Sequence, residues 1–321
     1  MRIGIAGYGK LGRALERIIQ DSDDVRLVGV FTRREKEKVK TLGTSVYPLA
    51  ELETWAGKID VLCLCFGSSG DMPELAPYLA ERFNTVDTFD NHGILNEYKQ
   101  RMGVSANKRE HTSVVALGWD PGFLSIIRLL AHSFLPNASV NTFWGRGVSQ
   151  GHSEALRQID GVKEAVQYTV PREDALTLAT LVSHPLTDTE RHRRVCYICA
   201  EKEKEDLIRN EIPRIKNYFE GYETEIHFVR DEEFSTKHNR SSHRGRVYAL
   251  GSSGKYKEIR HSLYLDLDIG SNPDFTASVM LAGARACYRL VIEGRHGAYS
   301  AFDIPVSYFS PFNCKNVNDY L

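Results

Sequence analysis

The opening stretch RIGIAGYGKLGRALERIIQ, residues 2–20, constrains the fold more than any other. Residues 2–6 read as a short buried strand. Behind them Leu11, Ala14, Leu15, Ile18 and Ile19 recur at the i, i+3, i+4, i+7, i+8 spacing of a helix with one buried face. Between strand and helix lie Gly7, Gly9 and Gly12, a complete G-x-G-x-x-G. Gly7 permits the tight turn, Gly9 lets a pyrophosphate approach the backbone, and Gly12 lets the helix pack closely on the sheet. Free amides at the helix start, helped by the helix dipole, then face the phosphates. Alone the fingerprint is weak; set between a strand and a helix it implies a dinucleotide-binding fold.

The end of the next strand decides which dinucleotide. VRLVGVF (25–31) alternates and stops about 20 residues past the fingerprint, where such folds contact the ribose 2′ position. An Asp or Glu there would accept hydrogen bonds from a 2′-hydroxyl. Here stand Thr32, Arg33 and Arg34. A 2′-phosphate, repelled by a carboxylate, is held by guanidinium forks. The expected cofactor is NADP. The competing readings are a solvated basic loop, RREKEKVK, and service of a 2′-hydroxyl by Glu35.

DVLCLCF (60–66) reads as a third strand running into a glycine- and serine-rich turn, then a helix with Pro73 in its first turn. NTVDTFDNH (84–92) and SVVALGWDPGF (113–123) read as further strands. Each ends in an acid-bearing loop at the carboxyl edge of the sheet, where open α/β sheets bind ligands. The expected fold class is α/β. An N-terminal Rossmann dinucleotide-binding domain spans 1–120, and an α+β substrate-binding and dimerisation domain spans 121–270. The second is expected as an open, largely antiparallel sheet covered by helices, with VNTFW, AVQYTV, RRVCYICA, TEIHFVR and SLYLDLDI as strands. FTASVMLAGARACYRLVIE (275–293) reads as a long helix that, with the tail, packs back onto the first domain. Residues 231–257 are polar and turn-rich and read as a mobile loop over the site.

Composition narrows the partners. Net charge is −1, and no basic tail or acidic block occurs, so nucleic acid and membrane surfaces are poor candidates. No apolar run reaches the roughly 20 residues needed to cross a bilayer, and the N-terminus lacks a signal-peptide layout. The expected location is the cytoplasm. Cys196 and Cys199 have C-x-x-C spacing but lie in the apolar run VCYICA with no second pair nearby. They are expected as buried strand thiols rather than a metal or redox site; the other cysteines are Cys63, Cys65, Cys287 and Cys314.

Asp90 and Asp120 fall just past strands on the nicotinamide side, with Trp119 and Trp144 as aromatic neighbours. Paired carboxylates suit a substrate ammonium. They bind the cation and place its carbon for hydride transfer, more strongly once water is excluded. One of them, or a water they hold, could take the ammonium proton. The alternative is that each Asp caps a following turn. For a substrate carboxylate the candidates are Arg193, Arg194, His243, Arg244 and Asn272, and the residues alone do not choose among them.

Several longer motifs go beyond the generic fingerprint: GYGKLGR (7–13), DTFDNH (87–92), GWDPGF (118–123), FWGRGVSQGHSEALR (143–157), GVKEAVQYT (161–169) and NPDFTAS (272–278). Through them the chain resembles the meso-diaminopimelate D-dehydrogenase family along essentially its whole length. The resemblance implies a homodimer that uses NADP. It implies oxidative deamination of the D-configured end of meso-2,6-diaminopimelate to L-2-amino-6-oxopimelate and ammonia, the reverse reaction serving lysine biosynthesis. Asp90 and Asp120 would hold the reacting amino group, with Trp144 nearby, and Gln150 and Gly151 would line the substrate. Thr169, Arg194, His243 and Asn272 would grip the L-end, Arg194 being preferred to Arg193 by its spacing to Cys196. The implied dinucleotide contacts are Gly7, Tyr8, Gly9, Lys10, Leu11 and Gly12, with Thr32, Arg33 and Arg34. Further contacts are Cys65, Phe66, Gly67 and Ser68, then Thr88, Phe89 and Asp90, then Leu117, Gly118, Trp119, Asp120 and Pro121. Other functions compete: a broader D-amino acid dehydrogenase, a sugar or aldehyde dehydrogenase, or a catalytically silent NADP sensor. A sugar or aldehyde enzyme would want a Lys or His base near the nicotinamide, and His92 is a weak candidate. The paired aspartates and the long WGRGVSQGHSEALR stretch oppose the sensor.

Overall fold

The computed structural model describes residues 1–311 apart from 69, 183, 217 and 239–241; Cys314 lies outside the described residues. The chain begins with β1 (Arg2–Ala6), α1 (Lys10–Gln20), β2 (Arg26–Thr32), β3 (Val46–Pro48), β4 (Val61–Leu64) and α2 (Met72–Ala80). β5 (Thr85–Asp87), α3 (Leu95–Asn107), β6 (Thr112–Val114) and α4 (Phe123–Phe134) follow. Then come β7 (Ser139–Trp144), β8 (Gly147–Val148), α5 (Gln150–Arg157), β9 (Val162–Pro171), α6 (Glu173–Leu178), α7 (Asp188–Arg191) and β10 (His192–Ala200). The remainder is α8 (Glu205–Glu211), β11 (Thr224–Phe228), α9 (Asp231–Lys237), β12 (His243–Ser253), β13 (Ile259–Ile269), α10 (Asn272–Ile292) and β14 (Gly297–Tyr299). The chain divides into two units, Met1–Ile126 with the chain from Pro273 onward, and Ile127–Asn272.

The first unit is built on one seven-stranded parallel sheet in the order β3-β2-β1-β4-β5-β6-β14. Strands covered on both faces carry unbroken apolar runs, and Val61–Leu64 is buried throughout. Ala14, Leu15 and Ile19 of α1 share one core with Met280, Leu281, Ala284 and Leu290 of α10. Met72, Ala76 and Leu79 of α2 share another with Tyr98, Met102 and Ala106 of α3. This is the doubly wound arrangement, with its ligand crevice where the strand order reverses beyond β1 and β4.

The second unit has two sheets rather than the single open sheet expected. One runs β11-β10-β9-β8, with β10 parallel to β11; the other runs β13-β12-β7 and is antiparallel throughout. The stretch 231–257, expected as a loop, instead contains α9 and the eleven residues of β12. Gly245, Val247, Ala249 and Gly251 alternate as the buried side of β12, but small residues inside and Arg244, Arg246 and Tyr248 outside gave that period little contrast.

The membrane expectation also needs correcting. α10, at 21 residues, is long and apolar enough by composition to cross a bilayer, although half of its apolar window is buried within the structure. Its Ala and Gly positions serve close packing: a Cβ on Gly283 would meet Leu117 Cδ2 at 2.3 Å. Cys63, Cys65, Cys196, Cys199 and Cys287 are buried free thiols, as expected for Cys196 and Cys199.

Candidate active site

The crevice of the first unit is shaped by backbone approach. Gly7 has φ +90°, and a Cβ there would sit 2.8 Å from the Cys65 carbonyl oxygen. A Cβ on Gly12 would lie 2.5 Å from the Gly7 carbonyl oxygen, whereas one on Gly9 would meet nothing within 4 Å. Gly9 caps α1 with no side-chain hydrogen bond, so open space faces uncapped helix amides. These residues fit a dinucleotide pyrophosphate. At the end of β2, Thr32 Oγ1 accepts from the Arg34 amide at 3.2 Å, and the Arg34 guanidinium donates to the Tyr8 carbonyl. The Arg33 guanidinium pairs with Asp71; its side chain is 63% exposed and that of Asp71 37%. An ion pair so exposed is worth at most about 1 kcal/mol, so Arg33 can turn to a phosphate carrying roughly two charges.

Some residues implied as dinucleotide contacts can offer only backbone. Phe89 is fully buried and stacks on Tyr98 at 4.0 Å, and Leu117 is fully buried as well. Tyr8 turns its hydroxyl inward to donate to the buried Glu16 carboxylate, which also accepts from the Leu42 amide at 3.0 Å. Cys65 is buried with its thiol 3.8 Å from Met280 Sδ. Lys10, Gly67 and Asp90 are exposed, while Phe66, Ser68, Thr88, Trp119 and Asp120 are half-buried.

The two acidic loops share one organiser that the sequence reading missed. Asp87, at the end of β5, is fully buried. Its Oδ1 accepts from the amides of Phe89 at 3.0 Å and Ala116 at 2.9 Å, and its Oδ2 accepts from the Tyr98 hydroxyl at 2.8 Å. Its carbonyl accepts from the Leu117 amide at 2.9 Å. One residue therefore braces both the DTFD loop carrying Asp90 and the GWDP loop carrying Asp120. Burial pushes its carboxyl above the usual range, against the pull of these three donors. Ser68 Oγ accepts from the Asp90 amide at 3.3 Å, tying in the loop after β4. In the GWDPGF loop Gly118 N donates to Pro121 O at 2.8 Å, and Gly122, at φ +123°, approaches Gly118 so closely that a Cβ would lie 2.1 Å from its oxygen.

In the second unit, strand register sets two of the implied residues side by side, and a third packs next to them. Gly147 pairs with Thr169, and Thr169 pairs with Arg194. The buried ring of His243 lies against Gly147, where a Cβ would be 2.3 Å from it. Arg194 Nη1 donates to Thr169 Oγ1 at 2.8 Å, and the guanidinium lies 3.9 Å over the Tyr222 ring. Arg194 is 7% exposed, no carboxylate pairs with it among the described residues, and its Nε is buried without a partner. Arg193 faces the other way with 39% of its side chain exposed and pairs with Glu225 at 2.7 Å; Arg244 pairs with Asp266. Geometry thus distinguishes arginines that sequence could not. Trp144 donates its amide to His192 Nε2 at 2.9 Å and stacks on that ring at 5.2 Å. Gln150 opens α5, its side chain outside the described residues, and Gly151 is exposed; Asn272 opens α10.

The comparisons with known proteins bear on the whole chain. The family model described as Diaminopimelic acid dehydrogenase C-terminal domain matches residues 118–271. The meso-diaminopimelate D-dehydrogenase of Acetivibrio thermocellus is 43% identical over 321 residues, 99% of this chain and 96% of the relative. That of Corynebacterium glutamicum is 40% identical over 318 residues, 99% and 98% of the two chains. The chain belongs to the meso-diaminopimelate D-dehydrogenase family.

Solved structures agree. The C. glutamicum DAP dehydrogenase in complex with DAP superposes with TM-score 0.92 at 39% identity, covering 99% of this chain and 97% of that one. An engineered D-amino acid dehydrogenase bound to NADP+ gives TM-score 0.88 at 38% identity, covering 99% and 98%. Like these family members, the chain pairs a Rossmann-type parallel sheet with a second unit containing antiparallel sheet. Within the site, Tyr222 and His192 escaped the sequence reading because their roles depend on cross-strand neighbours. Gln167 could have been found: alternation along VQYTV puts it on the face of Thr169.

Two predictions arise from this geometry. Asp87→Ala removes three hydrogen bonds and strands two amides, and should cost about 3 kcal/mol in urea unfolding. Asp87→Asn, which keeps the amide acceptor, should cost much less; equal losses would remove Asp87 as the brace. Burial holds His152 and His192 at about 3, below their ordinary 6.5. Between those values the unfolded chain binds the protons and the folded one does not, so stability is present above pH 6.5 and lost as pH falls toward 3. His192→Asn should reduce that slope by up to about 1.4 kcal/mol per pH unit. An unchanged slope would refute the buried neutral imidazole.

Proposed function

We propose that the chain catalyses the reversible, NADP-dependent oxidative deamination of the D-centre of meso-2,6-diaminopimelate, giving L-2-amino-6-oxopimelate and ammonia, a reaction whose reverse serves lysine biosynthesis. The carrying observation is Arg194, a buried guanidinium in no ion pair with a carboxylate among the described residues, in register with Thr169, whose other strand neighbour Gly147 carries the His243 ring against it. A buried cation is costly until an anion meets it. The carboxylate at the non-reacting end of a diamino diacid supplies that anion, with Thr169 as a hydroxyl partner.

The glycine turn with Thr32, Arg33 and Arg34 would hold NADP, which would supply the hydride acceptor. Asp90 and Asp120 hold the substrate ammonium and orient its carbon, so that one C–H faces the acceptor. As hydride leaves, the carbon–nitrogen bond becomes an imine; water adds to the carbon and ammonia departs. The net change consumes one water and yields the oxo acid, ammonium, reduced cofactor and one proton. The carboxylates stabilise the cationic nitrogen, and one of them, or a water they hold, takes its proton.

We further assign a homodimer. β13 is an edge strand of the three-stranded sheet, and its Leu263, Leu265 and Leu267 stand on one face, partly open to solvent in the single chain. A second copy of the same face would cover them. The cytoplasm, with reduced thiols and an NADP pool, is the location that fits the five buried free cysteines.

NADPH appearance at 340 nm should follow meso-diaminopimelate and be absent, or at least ten times slower, with the LL-isomer. The DD-isomer and D-alanine complete the panel; no turnover with any of them would refute the function, and D-alanine rivalling the meso compound would point to a broader D-amino acid dehydrogenase. Asp120→Asn should lower kcat at least 100-fold while NADPH binding, followed by fluorescence, stays within about twofold. Light scattering should give a dimer that Leu265→Asp converts to monomer; a monomeric parent chain would end that assignment.

A further inference from the structure

The apolar period of α1 runs through Leu11, Ala14, Leu15, Ile18 and Ile19, and Glu16 falls outside it. Even so, Glu16 is fully buried. A buried acid is costly unless donors meet it, and an apolar residue of similar volume would close the core at less cost. Its two oxygens divide between two segments of the chain. Oε2 accepts from the Tyr8 hydroxyl, and Oε1 accepts from the Leu42 amide at 3.0 Å. Burial pushes the Tyr8 phenol up and the Glu16 bond adds to it, so the hydroxyl keeps its proton and donates.

Those two segments are the two halves of the cofactor cradle. Tyr8 lies inside the glycine turn, between Gly7 and Gly9. Leu42 lies on the loop that leaves β2 with Thr32, Arg33 and Arg34 and returns at β3. Near β2 the loop is held through Arg34, whose amide donates to Thr32 Oγ1 at 3.2 Å and whose guanidinium donates to the Tyr8 carbonyl. Toward β3 it is held through the backbone of Leu42, by Glu16 at the amide and by Gln20 Nε2, which donates to the carbonyl at 3.1 Å. Of residues 33–44 only Val39 is buried, so packing does little to fix the loop. The glycine turn has supports of its own. The Gly7 amide donates to the Phe31 carbonyl at 2.8 Å, and the Arg13 amide donates to the Gly9 carbonyl at 3.2 Å. Loss of Glu16 therefore leaves the turn formed and loosens the loop.

We propose that Glu16 is a positioning residue that holds the arginine loop in register with the glycine turn, and so sets the preference for the 2′-phosphate of NADP over the 2′-hydroxyl of NAD. The proposal rests on the reading of Thr32, Arg33 and Arg34 as the 2′-phosphate contacts. NAD needs the turn alone, whereas NADP needs both halves at one separation. Only NADP gains when that separation is fixed before it binds.

The test titrates the full chain with NADPH and with NADH and follows cofactor fluorescence at equilibrium, so no turnover is required. Glu16→Leu should raise Kd for NADPH about tenfold, the equivalent of one hydrogen bond, and leave Kd for NADH within about twofold. Glu16→Gln keeps an oxygen for the Leu42 amide and turns its NH2 to the Tyr8 hydroxyl oxygen, and should hold Kd for NADPH within about threefold. Tyr8→Phe keeps the buried ring and removes only the inward hydroxyl; its preference for NADPH over NADH should fall at least threefold. That variant decides the matter if Glu16→Leu fails to fold. Equal losses for the two cofactors in Glu16→Leu overturn the proposal, because Glu16 would then support the turn itself. An unchanged preference in Glu16→Leu or in Tyr8→Phe overturns it, as does Glu16→Gln binding NADPH as weakly as Glu16→Leu. Arg33→Met combined with Arg34→Met separates the two levels. A preference that survives the loss of both arginines defeats the reading of the 2′-phosphate site, whereas a preference lost there but normal in Glu16→Leu defeats only the role of Glu16.

Discussion

In the second unit a guanidinium is taken out of water with no carboxylate in ion-pair contact among the described residues, the charge of Asp188 reaching it only from a distance. Arg194 is reached by a hydroxyl and an aromatic face, Thr169 and Tyr222, neither of which neutralises it. Removing an ion from water costs several kcal/mol after relaxation, and one neutral hydrogen bond returns only a fraction. Burial accordingly lowers its pKa from the ordinary arginine value, though not far enough to discharge it at working pH. The neighbouring elements keep the cation in place: β9 pairs with β10 along its length, and Leu156, Ala165, Cys196, Ile198 and Phe219 pack as one core. A cation stored this way gains most when a carboxylate arrives, because the anion meets it where water screens poorly.

The cofactor end follows the opposite design. Arg33 and Arg34 are exposed, and Arg33 already has a carboxylate in Asp71. Screening by salt weakens such contacts, so they select a phosphate over a hydroxyl more than they add affinity. The rigid part of that crevice is backbone: the Gly7–Gly12 approach and the Cys65 carbonyl leave no room for side chains where the turn closes. With these residues as the proposed contacts, selectivity for the dinucleotide class would be steric and selectivity for its 2′ group electrostatic.

What the sequence revealed follows from which interactions are local. The strand, glycine turn and α1 lie within twenty residues of one another, and the arginines sit at the end of the very next strand, so both could be read from spacing. Asp90 and Asp120 were legible as acids at strand ends. Asp87, three residues before Asp90 in the same motif, was not, because its partners Ala116 and Tyr98 are distant in sequence or turned inward by the fold. The choice between Arg193 and Arg194 likewise needed register: alternate positions on β10 face opposite sides, and only pairing with β9 shows which side holds Thr169. β12 resembles loop in sequence because its buried side is made of Gly, Val and Ala while its outer side carries Arg244, Arg246 and Tyr248, a weak period-two contrast. Strand patterns reveal faces but not partners, so sequence does not separate the two sheets of the second unit.

The substrate adds a demand that shape alone meets poorly. Its two ends carry the same ammonium and carboxylate and differ in handedness, so a pocket that merely fitted an amino acid would accept either end. A missing methylene separates ligands by only about 1–3 kcal/mol, whereas a buried polar group left unpaired separates them by far more. Thr169, Arg194 and His243 are buried polar groups of that kind. When the wrong end enters, the donors are present but the ammonium falls where its own acceptors are not, and charge is stranded in a place of weak screening. On the proposed assignment, discrimination between mirror-related ends would reside in the residues that grip the end which does not react, and the paired aspartates would serve the chemistry without also having to read configuration.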